Sequence, residues 1–94
     1  MIMLEKIFGR GITIQIVETF LKTENRERWL NVREITRQSG ISAGTISRRI
    51  NDLVYNQVLI EENPSKFTRI FKLNLKNQYI PILIDFFERI NKVH

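Results

Sequence analysis

Residues 31–53 of this 94-residue chain read NVREITRQSGISAGTISRRINDL, and no other stretch restricts the fold as tightly. Two short helical patterns meet there at Ser39-Gly40-Ile41. Asn31 stands at an N-cap, with Glu34 three residues on in capping-box spacing. Val32, Ile35 and Thr36 form the inward side of the first helix. Gly40 supplies the left-handed residue that ends it. Ser42 then caps a second helix that runs to about Asn56. Ile46, Ile50, Leu53 and Val54 give this helix one apolar stripe at i, i+4, i+7 and i+8. Gly44, Arg48, Asn51 and Tyr55 lie roughly opposite that stripe. A pair of helices arranged this way can present the outer face of the second to the major groove of DNA.

The flanking segments are organised around this pair. Leu4, Ile7 and Phe8 have helical spacing, and Gly9 and Gly11 break it. Residues 12–22 read two ways: Ile12, Ile14 and Ile16 alternate like a strand, while Ile14, Val17 and Leu21 fall on one face of a helix. The length and a polar face of Gln15, Glu18 and Thr19 favour the helix. Residues 23–28 form a charged connection, and Trp29-Leu30 a short strand. Val58 to Glu62 and Arg69 to Leu75 read as two strands of a hairpin around turn residues Asn63-Pro64-Ser65-Lys66. Phe71, Leu73 and Leu75 share one face of the second strand. The last helix spans 78–92, with Asn77 as its cap and Pro81 in its first turn, where a missing N–H is tolerated. It carries two apolar stripes, Tyr79, Leu83, Phe86, Ile90 and Val93 on one side and Ile80, Ile84 and Phe87 on the other. One core contact needs only ~100° of apolar arc. The excess predicts a second packing partner.

The length allows one domain, residues 1–94, and the 43% hydrophobic content supplies a modest core. A net charge of +5 and a pI of about 10.0 favour a polyanionic partner. The absence of cysteine excludes disulfides, zinc ribbons and thiol chemistry. With His94 the only histidine, no metal site, no cofactor and no catalytic constellation is expected, and an enzyme is not the expected class. No apolar run approaches the ~20 residues of a membrane span. The expectation is a soluble protein of the cytoplasm. Abundant Ile, Asn and Lys beside a single alanine, Ala43, point to an AT-rich genome.

Val32-Arg33-Glu34-Ile35, Ser39-Gly40-Ile41-Ser42, Gly44-Thr45-Ile46-Ser47-Arg48 and Leu59-Ile60-Glu61 together resemble winged-helix transcriptional regulators of the ArsR/MarR type. The likeness is greatest to the small forms of archaea and their viruses and plasmids, and it covers about residues 12–75. It implies a mainly α fold with a small β-hairpin (α+β): helix-turn-helix at 31–56, wing at 58–75, and N- and C-terminal dimerisation helices. The family often has glycine where this chain has Gln57. Its metal-sensing members use Cys or His clusters that this chain lacks.

The resemblance implies that Ser42, Ala43, Gly44, Thr45, Ser47 and Arg48 face the DNA, with Lys66, Thr68 and Arg69 on the wing. Arg48 is the first candidate for reading a guanine edge, with a phosphate contact or a solvated surface as the alternatives. Arg49, nearer the flank, suits a phosphate or an acidic neighbour. Arg33 and Arg37 suit the DNA backbone. Ser42 both caps and can touch phosphate. Gly44 costs helix stability, which close approach to DNA would justify. Glu61 and Glu62 are expected to point away from DNA. Phe67 either inserts between bases or, more commonly, covers core. Trp29 is expected in the core or a dimer contact. Leu4, Ile7, Phe8, Tyr79, Leu83, Phe86, Phe87 and Ile90 are the expected dimer interface. The expected function is sequence-specific binding of double-stranded DNA, at a palindromic operator, by a homodimer that regulates transcription. Non-specific architectural binding and a protein-interaction module are the other two classes the sequence allows.

Overall fold

The computed structural model describes residues 11–93. Leu4, Ile7 and Phe8, and the helix expected around them, lie outside that range. Four α-helices and one three-stranded antiparallel sheet make the described fold α+β, an order compatible with a winged helix. The ambiguous first segment is helical. Helix α1 spans Ile12–Leu21 and buries Ile16, Val17, Phe20 and Leu21, which follow a helical and not an alternating period. Its presumed polar face is not exposed, because Glu18 and Thr19 are buried too. For Thr19 the cause is visible. A short 3₁₀ turn at Thr23–Asn25 folds back, and buried Asn25 donates through Nδ2 to Thr19 O at 2.7 Å and to Gln38 Oε1 at 2.8 Å.

Strand β1, Leu30–Asn31, leads directly into helix α2, Val32–Ser39. The capping box forms in full: Glu34 N donates to Asn31 Oδ1 at 2.8 Å and Asn31 N to Glu34 Oε1 at 3.1 Å. Such a cap contributes about 1 kcal/mol. Gly40 adopts φ 79° and donates its N–H to Thr36 O, the left-handed stop expected of it. Helix α3, Ala43–Tyr55, follows with Ser42 as its N-cap. Ile46, Ile50 and Leu53 point inward and meet Ile35 of α2 and the α1 face in one core. Each such side chain, taken out of water, contributes about 1.5–3 kcal/mol.

After α3 the backbone turns through Gln57, the one non-glycine residue with positive φ (62°) among those described. A left-handed residue other than glycine costs about 1 kcal/mol or more. The surroundings compensate. The Gln57 carbonyl accepts amide N–H groups from both Asn74 and Asn77, each at 3.0 Å. This ties the end of α3 to the start of the last helix.

Strands β2, Leu59–Ser65, and β3, Thr68–Leu73, form the hairpin, and the sheet order is β1-β3-β2. The turn sits two residues later than expected, at Lys66-Phe67. Pro64 is accommodated within β2, an edge strand, where the register slips between Glu62 and Ser65. Phe71 and Leu73 enter the core, but Leu75 lies beyond the strand and is exposed. The cause is the turn that follows Asn74, whose N–H donates to Val58 O.

Helix α4, Tyr79–Val93, starts where Asn77 Oδ1 accepts from Tyr79 N at 3.0 Å. Its Ile80 and Phe87 are buried, with Leu83 and Ile84 packed beside them. Phe87 therefore belongs to the chain's own core, a correction to its expected place at an interface. Tyr79 and Ile82 are 67% and 65% exposed, and Phe86 37%. No helix among the described residues is long and apolar enough to cross a membrane.

Candidate nucleic-acid interface

The outer face of α3 begins with small residues. Ser42, Ala43 and Gly44 are exposed, and Thr45 is half-buried. Ser42 Oγ accepts from Thr45 N at 3.4 Å and lies 3.0 Å from Thr45 Oγ1. Arg48 donates through Nη2 to Thr45 Oγ1 at 3.4 Å, which holds the guanidinium along the first turns of the helix. This bond is long and exposed, so a competing ligand can replace it. A Cβ built on Gly44 would meet only Arg48 Nη1, at 3.6 Å, an ordinary contact. Nothing among the described residues requires glycine there.

Ser47 is placed differently from its neighbours. It is half-buried and turned toward the hairpin, and its carbonyl accepts from Asn51 Nδ2 and Arg69 Nη1. Arg69, expected on the wing against DNA, is engaged within the chain itself. Its guanidinium makes a fork on Glu61, Nε to Oε2 at 2.7 Å and Nη2 to Oε1 at 3.1 Å. Nη2 also reaches Asn51 Oδ1 at 2.6 Å, and the group stands 5.0 Å from the centre of the Phe71 ring. The hydrogen bond and charge of Arg69 hold Glu61 below its ordinary carboxylate pKa, against the opposing effect of burial. Glu61 correspondingly raises the pKa of Arg69. The pair joins β2 and β3 to α3.

Glu61 is thus linked to α3 through Arg69, with its charge neutralised in place. Glu62, the next residue along the strand, is exposed. The helical period places Asn51 on the outer face of α3 and says no more of it. Its role in holding Arg69 depends on a residue 18 positions away and leaves no mark on the local pattern.

Arg33, Arg37, Arg48, Arg49 and Lys66 are exposed, and none pairs with a carboxylate among the described residues. The acidic neighbour considered for Arg49 is therefore not its partner. Glu34 does not offset Arg33, because its carboxylate is engaged by Arg28 at 3.2 Å. A cleft of about 400 Å³ runs between the start of α2, Ser47 of α3 and the hairpin tip, lined by Arg33, Phe67, Thr68 and Arg69 among others. Thr68 is half-buried and bonded through Oγ1 to Ser65 Oγ at 2.7 Å. Phe67 covers no core: it is 92% exposed at the tip, with Lys66 Nζ 6.0 Å from its ring centre. Trp29 is half-buried beneath Lys72, whose Nζ stands 5.8 Å from its ring centre.

This surface offers exposed cations, hydroxyls and the first backbone N–H groups of a 13-residue helix, all suited to an anionic ligand. No family model, curated protein or solved structure matches the chain.

Proposed function

We propose that this protein is a winged-helix regulator that binds double-stranded DNA as a homodimer inside the cell. The observation that carries the reading is the outer face of α3. Its first turn is small and exposed, Arg48 and Arg49 follow it, and a cleft that carries Arg33 lies between Ser47 and the hairpin tip. In this reading α3 is the recognition helix and enters the major groove. Ser42, Ala43, Gly44 and Thr45 allow close approach, and Arg48 reads a guanine edge through its fork. Arg49, Arg33, Arg37 and Lys66 neutralise phosphates. Arg69 and Ser47 set the angle between recognition helix and wing. The exposed side of α4, with Tyr79 and Ile82, meets its copy in the partner, together with the less exposed Leu83, Phe86 and Ile90. Two such subunits read a palindrome with half-sites about one DNA turn apart. Neither a cofactor nor a catalytic step is part of this reading.

The test is fluorescence anisotropy with the duplex upstream of the protein's own gene and with a scrambled duplex, across roughly 50–300 mM salt. Salt-sensitive binding with a preference of about 10³ or more is the expected result. Equal binding to both, followed by failure to enrich any site from a random library, would mean a non-specific architectural protein. No binding at the lowest salt would overturn DNA recognition altogether.

A further inference from the structure

Phe67 is the least expected side chain on the molecule. A phenylalanine left in water forgoes the favourable free energy of burial, and at 92% exposed this one forgoes nearly all of it. Its position is not that of a loosely held loop. Ser65 and Thr68 are paired across the turn, and their hydroxyls are bonded at 2.7 Å. Pro64 fixes its own φ immediately before them. The turn is therefore held at its base, and Lys66 and Phe67 project from it. Phe67 also lines the same cleft as Arg33 and Ser47, so it stands across that cleft from the start of α2 and from α3. An apolar ring beside a lysine, on a firm hairpin tip flanking a cationic face, has the chemistry of a side chain that enters the base stack.

We propose that Phe67 is a wedge: it enters the groove next to that occupied by α3 and partly unstacks a pyrimidine–purine step, so that the protein kinks the duplex it binds. The inference rests on the DNA-binding reading above. TpA steps unstack most easily, whereas A-tracts are stiff and have a narrow minor groove that attracts cations. A tip acting only through the charge of Lys66 would therefore favour A-tracts. A tip acting through Phe67 favours TpA steps. The two mechanisms have opposite signs, which makes them separable without knowledge of the natural site.

The experiment uses two duplexes of about 30 base pairs and equal A·T composition, one rich in TpA steps and one built of A-tracts. Binding is read by anisotropy at low salt, and 2-aminopurine at a central TpA step reports unstacking. The intact chain is expected to prefer the TpA duplex by about tenfold and to raise the 2-aminopurine signal, because a step that unstacks easily opposes the wedge least. Phe67→Ala should bind both duplexes equally or favour A-tracts, with no fluorescence rise. Phe67→Leu, which keeps an apolar wedge, should retain most of the preference. Thermal melting of both variants should match the parent, because Phe67 covers no core. Binding to both duplexes without TpA preference, or a preference that survives Phe67→Ala, overturns the wedge and leaves the DNA reading standing. Failure of the intact chain to bind either duplex overturns both.

Discussion

At the scale of single residues, the cases that matter are those where a side chain contradicts local preference. Gly44 lies in the first turn of α3, where alanine would be the better helix former. The space around it admits a Cβ without displacement. Packing among the described residues therefore does not account for it, and close approach to a ligand is the reading that uses it. Gly44→Ala is expected to raise stability by about 0.5 kcal/mol while weakening DNA binding several-fold. Paired measurements of melting temperature and anisotropy would check this, and unchanged affinity would remove the case for close approach. Gln57 presents the same problem in reverse. The departure from glycine at that position is visible in the sequence. That two asparagine amides from beyond the hairpin would hold its carbonyl is not.

At the scale of elements, the hairpin and α3 behave as one unit because Arg69 bridges them. Glu61 has a lowered carboxylate pKa, caused first by its hydrogen bond with Arg69. The sign of the pH dependence follows. Its contribution to stability is fully present above the unfolded-state value, about 4.3, and is lost as pH falls through the lowered folded value. Glu61→Gln should therefore flatten the acid limb of the melting-temperature profile below about pH 4.3. Nuclear magnetic resonance should show Asn51 and hairpin signals moving together in that variant. An acid limb identical to the parent's would show that the fork contributes nothing. The helix pair itself was legible residue by residue, since caps, stop and apolar stripe are all local signals. The hairpin turn was not. Asn63-Pro64 looks like a turn, but an edge strand can absorb a proline through a register shift, and that moves the tip to Lys66-Phe67.

At the scale of the whole molecule, α4 carries the main question. Its Ile80 and Phe87 serve the core, while Tyr79 and Ile82 remain exposed. A cavity of about 460 Å³ with a mostly apolar wall lies along this side, lined by Val58, Tyr79, Ile82, Leu83 and Phe86 among others. If this side is the dimer contact, Ile82→Glu should yield a monomer in sedimentation at micromolar concentration, with the fold retained. Operator affinity should then fall by about two orders of magnitude or more, as two half-sites cease to be bound together. A parent protein that sediments as a monomer would remove the homodimer from the proposal.

The sequence by itself determined the helix pair, its turn, the hairpin and the final helix, because periodicity, caps and glycine stops act over a few residues. It also placed Ser42, Ala43, Gly44, Arg48 and Arg49 on the exposed side of α3, though it misplaced Ser47. Only the tertiary structure decided which of the two α4 stripes is core, that Arg69 is engaged by Glu61 and Asn51, and that Phe67 stands in solvent. Each of those outcomes depends on partners distant along the chain. An apolar or charged residue looks the same in sequence whether the fold brings it a neighbour or leaves it exposed.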